Sequence, residues 1–263
     1  MKAWVIGDSF GTPCRATTRH EAINNDFYDG VMPGNDSVVG KEWVKQVTEG
    51  LGYEYSIETN WSVRACGNEH ILHKIDWLIN NDHMFDKNTD ILIIIPTVGG
   101  RFMFKGLNDT KPFKFDYIEE PHMHTAGAVN TDIQTINEYS TLHRDQEFEI
   151  YKMISAYDKL LSHLKLYDIK YLFCPGMWTS TWTGELDYLD GYTPSHIELD
   201  FPAYNIGLEA DQTYIQNNMN KDITGQDWIY DHFAVAEMYT NHMSHIGNDV
   251  FAKAVLEYFN ERS

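Results

Sequence analysis

The chain reads as an α/β protein with a parallel sheet packed between helices, and three features of its order predict this. A short apolar run, KAWVI (2–6), opens the chain and ends abruptly in Gly7-Asp8-Ser9-Phe10-Gly11. A continuous Ile/Leu run, DILIIIP (90–96), has the composition of a central strand buried on both faces. Between and after these runs, apolar residues recur at helical spacing, so that strands alternate with helices as in βαβ units.

Taken in order, KAWVI is the first predicted strand. GKEWVKQVTEGLG (40–52) is a helix with Trp43, Val44, Val47 and Leu51 on one stripe and Gly52 as its C-terminal stop. YSIETNW (55–61) is the second strand. NEHILHKIDWLIN (68–80) is a helix whose inner stripe is Ile71, Ile75, Leu78 and Ile79, and it leads into the third strand at 90–96. RDQEFEIYKMISAYDKLLSHLKLYD (144–168) is a long amphipathic helix, IKYLFCPG (169–176) the fourth strand, and SHIGNDVFAKAVLEYFNE (244–261) a terminal helix with Val250, Phe251, Ala254, Val255 and Tyr258 inward. Two stretches, 102–143 and 177–230, break the alternation and are expected as long loop insertions. Each follows the carboxyl end of a strand, where open α/β sheets place their sites, and loops of this length are usually functional. Both are expected to wall a site at the Ser9 end of the sheet. No linker or repeat divides the 263 residues, so one domain, 1–263, is expected.

Composition narrows the function classes. The net charge is −19, spread along the chain, which disfavours free nucleic acid and anionic membrane surfaces as partners because both need clustered Lys and Arg. Cys14, Cys66 and Cys174 are odd in number and far apart, unlike a disulfide framework or a zinc site. The opening apolar run is too short for a signal peptide, and no segment approaches the roughly 20 apolar residues of a membrane span. A cytoplasmic protein is expected, with neither metal nor organic cofactor.

A buried strand running straight into Gly7-Asp8-Ser9-Phe10 within the first dozen residues resembles the first block of the SGNH/GDSL hydrolases. That resemblance implies a three-layer α/β/α sandwich with a flavodoxin-like parallel sheet, and a serine esterase or deacetylase activity with Ser9 as nucleophile. Three further blocks can be sought in order. Asn60-Trp61-Ser62-Val63-Arg64-Ala65-Cys66-Gly67-Asn68 stands where the second block belongs. Its oxyanion-hole N–H falls on Ala65 by spacing from Asn60, or on Gly67 if the loop is shifted, and Asn68 resembles the Asn that closes this loop in some phage-encoded members. The third block follows the third strand at Ile95-Pro96-Thr97-Val98-Gly99-Gly100-Arg101-Phe102-Met103-Phe104. Thr97 occupies the place of the usual Asn, and the T…RFxF pattern is similar to a variant found in phage tail or virion-linked members. Gly106-Leu107-Asn108-Asp109 matches the usual block literally but also suits a turn, and Thr97 is preferred. In the last block, His242-Met243-Ser244-His245-Ile246-Gly247 is similar to the family's His-Pro-Ser-x-x-Gly, with Met243 for Pro. The acid expected three residues before the histidine is Tyr239.

The resemblance therefore implies hydrolysis of a short-acyl ester, foremost an O-acetyl group on a carbohydrate, through a Ser9–His242 acyl-enzyme. Backbone N–H groups of Ser9 and of Ala65 or Gly67 form the oxyanion hole, with the Thr97 hydroxyl added. Asp231 is the replacement acid preferred over Glu237 or the Tyr239 hydroxyl. Asp8, Asn68, Arg101, Trp178 and Trp182 are the expected substrate contacts. Trp178, Trp182, Tyr188 and Tyr192 either stack on sugar rings or pack their own loop. The missing acid and altered third block also admit a catalytically decayed scaffold that serves as a structural or glycan-binding component of a virion, with virion or homo-oligomer contacts. His70 and His73, one helical turn apart, and the His122-Met123-His124 loop lack the partners a metal site needs and read as ordinary surface or half-buried histidines.

Overall fold

A computed structural model describes residues 1–8, 11, 42–62, 67–81, 83–97, 102–105, 123–126, 146–175, 194–198, 201–218, 243 and 245–262. Their centre is a parallel sheet of three strands in the order β1 (Ala3–Gly7), β2 (Ile91–Ile95) and β5 (Tyr171–Phe173). Ala3 pairs with Ile91 and Gly7 with Ile95, while Leu92 pairs with Tyr171 and Ile94 with Phe173. β1 and β2 are buried at every position, as their unbroken apolar runs require.

The period of two along a strand divides the core. Trp4, Ile6, Leu92, Ile94 and Phe173 point to one face of the sheet. There they meet Ile71, Ile75 and Leu78 of α2 (Asn68–Ile79) and Met153, Ile154, Tyr157, Leu161 and Leu164 of α3 (Gln146–Leu166). Ala3, Val5, Ile91, Ile93, Ile95 and Leu172 point to the other. These pack on Trp43, Val44 and Val47 of α1 (Trp43–Gly50) and on Phe251, Ala252 and Val255 of α5 (His245–Asn260). Helices thus cover both faces, as the alternation of elements predicts. At the amino end of the strands, the buried Asp90 carboxylate bolts β1 to β2. It accepts the Lys2 N–H at 2.8 Å, the Trp4 indole N–H at 3.1 Å and the Asp86 N–H at 3.2 Å.

Gly52 ends α1 as expected: it adopts φ 81°, which a side chain would resist, and its N–H donates to the Glu49 carbonyl at 3.0 Å. The second predicted strand is corrected. Residues 54–60 run parallel to β1 but pair with it only at the bridges Lys2–Glu54 and Val5–Asn60, and a 3₁₀ turn, Ile57–Thr59, interrupts them. The cause is local. The Ser56 hydroxyl accepts the Glu58 N–H at 3.1 Å and the Ser56 carbonyl accepts the Thr59 N–H at 3.2 Å, drawing the backbone out of the ladder. The segment still lies beside β1 on the side away from β2, so the order in space is 54–60, β1, β2, β5.

The two insertions also contain regular structure. β3 (Phe102–Lys105) and β4 (Met123–Ala126) pair antiparallel as a separate two-stranded sheet, and β3 lies beside α2. Within 177–230, α4 (Asn205–Asn218) is a helix packed along α5. Gly207 and Gly247 form the crossing point. A Cβ on either would come within 2.7 Å of the other's carbonyl oxygen, so only two glycines allow these backbones to meet. Among the described residues, no helix is long and apolar enough to cross a membrane.

Candidate functional site

β1 ends at Gly7, which lies flush against β2: a Cβ there would stand 2.6 Å from Ile95 Cβ and 2.8 Å from its carbonyl oxygen. This packing alone requires glycine at the first position of the Gly-Asp-Ser block. The next residue, Asp8, has no exposed surface. The Gly11 N–H donates to the Asp8 carbonyl at 3.1 Å, closing the chain on itself immediately beyond the strand.

The second block is tied directly to this turn. Asn60 Nδ2 donates to the Gly11 carbonyl at 2.7 Å and to the Tyr55 hydroxyl at 3.2 Å, while Asn60 Oδ1 accepts the Ser62 N–H at 3.1 Å. The Trp61 N–H donates to the Val5 carbonyl at 2.7 Å, which fixes the start of the block against β1. Ser62 sits under Gly11, where a Cβ on the glycine would approach its Oγ to 2.5 Å. That hydroxyl is buried and has no hydrogen-bond partner among the described residues. Below the block, the buried Lys74 ammonium donates to the Trp61 carbonyl at 2.7 Å. Lys74 also contributes to the state of its neighbour: burial first, then the charges of Lys74 and His73, lowers the His70 pKa from 6.5 to about 3, so this imidazole is neutral.

The second and third blocks meet through one side chain. Asn68 opens α2, and Gly67 before it is the N-cap, extended at φ −85° and ψ 164°. Asn68 Nδ2 donates to the Thr97 carbonyl at 3.0 Å, and Asn68 Oδ1 accepts the Thr97 N–H at 3.0 Å and the Tyr157 hydroxyl at 2.9 Å. Asn68 is thus a strap between α2, α3 and the end of β2. Asn68 and Asp8, the expected substrate contacts, are both buried, and the bonds of the Asn68 amide join α2 to the end of β2. Thr97, expected as an oxyanion-hole member, is also wholly buried, and its backbone is held from both sides by Asn68.

The chain entering α5 reaches the same end of the sheet. α1 and α5 run side by side in the same direction: the Trp43 N–H donates to Asn248 Oδ1 at 3.0 Å near their amino ends, and Gly50 touches Leu256 near their carboxyl ends. The carboxyl end of α1 adjoins the start of β1, where the Glu54 N–H meets the Met1 carbonyl at 3.0 Å. The amino ends of both helices therefore lie at the carboxyl end of the strands. Met243, which follows His242 in sequence, is buried there. Its N–H donates to the Tyr204 hydroxyl at 3.3 Å, and its carbonyl accepts Asn248 Nδ2 at 3.2 Å.

Gly7, Asp8, Gly11, Asn60, Ser62, Gly67, Asn68, Thr97 and Met243 are so gathered around one end of the sheet. Ser9, Ala65, Arg101, Trp178, Trp182, Asp231, Glu237, Tyr239 and His242 lie outside the described residues. Sequence reasoning overlooked Tyr157, Tyr204, Lys74 and Asp211. Tyr157 and Lys74 occupy stripes that read as ordinary helix faces, Tyr204 falls in the stretch 177–230 expected as a loop insertion, and Asp211 is one carboxylate in an acidic chain. Among the described residues, no three His, Cys, Asp or Glu side chains group in a way that would hold a metal ion. No family model matches the chain, and neither does any curated protein or solved structure.

Proposed function

We propose that the chain is a serine ester hydrolase of SGNH/GDSL type, built on a three-layer α/β/α sandwich with flavodoxin-like strand order. The observation that carries this reading is the joining of separate sequence blocks at the carboxyl end of the sheet. Asn60 binds the turn after β1, Asn68 binds Thr97 after β2, and Met243 enters at the same end. An α/β sheet places its chemistry at that end. The spatial order 54–60, β1, β2, β5 also accords with the 2-1-3-4 start of a flavodoxin-like sheet.

In this mechanism Ser9 Oγ attacks the ester carbonyl while His242 takes its proton. The tetrahedral oxyanion is held by backbone N–H groups of Ser9 and of Ala65 or Gly67. Collapse expels the alcohol, which receives the proton from His242, and water then releases the acid by the same steps. A carbohydrate O-acetyl ester is the leading substrate, with the aromatic residues around Trp178 and Trp182 as its platform. The compartment is the cytoplasm, or a virion if the protein is phage-encoded. The test is reaction with a fluorophosphonate probe. The wild type is expected to label at Ser9, and Ser9→Ala to lose both labelling and hydrolysis of a short acyl ester while unfolding at the same temperature. An unchanged rate in Ser9→Ala would place the nucleophile elsewhere.

A second reading is favoured by two features, the Tyr239 that stands where the acid belongs and the Thr97 that stands where the third block has its Asn. On that reading the scaffold has lost its chemistry and binds glycan or a virion partner. Absence of labelling in folded wild-type protein would select it.

A further inference from the structure

We infer that Asp211 and Tyr204, carried by α4 and the residue before it, form a two-point clamp that positions His242 for catalysis. The inference rests on the hydrolase reading above. It concerns the place left open by Tyr239, since a histidine base without its usual acid needs some other means of orientation.

Asp211 has 1% of its surface exposed. A carboxylate so buried in a helix is costly unless its oxygens are satisfied. Its Oδ1 accepts the Gly247 N–H at 2.8 Å. Gly247 is the third residue of α5, so this N–H is one of the four donors that the start of a helix leaves without an internal partner. The negative charge also faces the positive end of the α5 dipole. The carboxylate therefore fixes where α5 begins.

One turn earlier in sequence, α4 carries Gly207 at the glycine–glycine crossing, which brings the two backbones close enough for Asp211 to reach. Tyr204 supplies the second point. Its ring is wedged edge-on against Phe251 at 5.3 Å, and its hydroxyl accepts the Met243 N–H at 3.3 Å. The Met243 carbonyl is taken by Asn248, which also accepts the first N–H of α1. Both polar backbone groups of the residue after His242, and the first turn of the helix that follows, are thus held from α4 and α5. A shift of about an ångström at a catalytic base costs on the order of 100-fold in rate. The clamp acts on the reaction through the orientation of His242, not by touching substrate.

The experiment uses the full chain and compares wild type with Asp211→Ala, Asp211→Asn and Tyr204→Phe. Four quantities are read: the rate of fluorophosphonate labelling at Ser9, kcat and KM on p-nitrophenyl acetate, and the unfolding temperature. Asp211→Ala is expected to lower labelling and kcat roughly 10- to 100-fold with KM unchanged, on the scale of a misplaced base. Asp211→Asn keeps an oxygen for the Gly247 N–H and should return the rate to within about fivefold of wild type, the size of a lost charge–dipole contact. Tyr204→Phe keeps the ring and should lower kcat without altering KM. A folded Asp211→Ala that labels at the wild-type rate overturns the clamp and leaves the hydrolase reading standing. If Asp211→Ala does not fold, Tyr204→Phe decides, and a wild-type rate there overturns the clamp. A wild type that fails to label overturns the hydrolase reading and the clamp together.

Discussion

Ser62 carries a buried hydroxyl with no partner among the described residues, directly under Gly11 and next to the turn that bears the Gly-Asp-Ser block. An unsatisfied buried hydroxyl loses its hydration and recovers nothing, so replacing it by hydrogen should not destabilise the fold. Ser62→Ala is expected to leave stability unchanged or raise it by about 1 kcal/mol in denaturant unfolding, the penalty of one orphaned polar group. Asn68 is the opposite case. Removing its amide takes away three buried hydrogen bonds at once, those to the Thr97 N–H, the Thr97 carbonyl and the Tyr157 hydroxyl. Asn68→Ala should cost about 2–4 kcal/mol, and Asn68→Asp, which keeps the acceptor but loses the donor, should also destabilise. A stability loss below about 0.5 kcal/mol for Asn68→Ala would mean that the strap contributes nothing beyond a surface substitution.

Among the elements, α4 is held to α5 by a contact that tolerates no side chain. A methyl on Gly247 would meet the Gly207 carbonyl oxygen at 2.7 Å and Asp211 Oδ2 at 2.6 Å. Backbone cannot rotate aside as a flexible side chain can, so the helices must separate. Gly247→Ala should therefore destabilise by about 1–3 kcal/mol, the range of overpacked cores, and should do so by shifting α4 away from α5. Hydrogen exchange checks the direction: amides of 205–218 should lose protection while those of β1 and β2 keep theirs. Equal loss across the sheet would show that α4 does not dock as a separable element.

For the whole molecule, the buried His70 links stability to pH. Its folded pKa is lowered to about 3 from 6.5, first by burial and then by Lys74 and His73. The unfolded chain takes up a proton near pH 6.5 that the folded chain refuses. The contribution is therefore complete above pH 6.5 and is lost as pH falls toward 3, at up to about 1.4 kcal/mol per unit. Between pH 6.5 and about 4.5, before carboxylates titrate, wild-type stability should fall with acid, and the slope should flatten in His70→Gln. Identical slopes would show that His70 is accessible to protons in the fold.

Apolar periodicity by itself determined β1, β2, β5 and the helices α1, α2, α3 and α5, because each buries a face whose residues recur at the spacing of its own backbone, although Val250 of α5, expected inward, is exposed. Motif order alone nominated Ser9 and His242, and spacing alone left Ala65 and Gly67 as alternatives. Tertiary structure decided three things. It turned 55–61 from a strand into a bridged 3₁₀ segment, since the alternation of Tyr55, Ile57, Thr59 and Trp61 is blind to the bonds that Ser56 makes. It made a helix of 205–218, whose inward face of Gly207, Leu208 and Asp211 is too small and polar to read as a core stripe. That face becomes one only when Gly247 and the first turn of α5 lie against it. And it joined Asn60 to Gly11 and Asn68 to Thr97, contacts between residues far apart in the chain that no local pattern encodes, because a hydrogen bond depends on where the sheet brings its strand ends together.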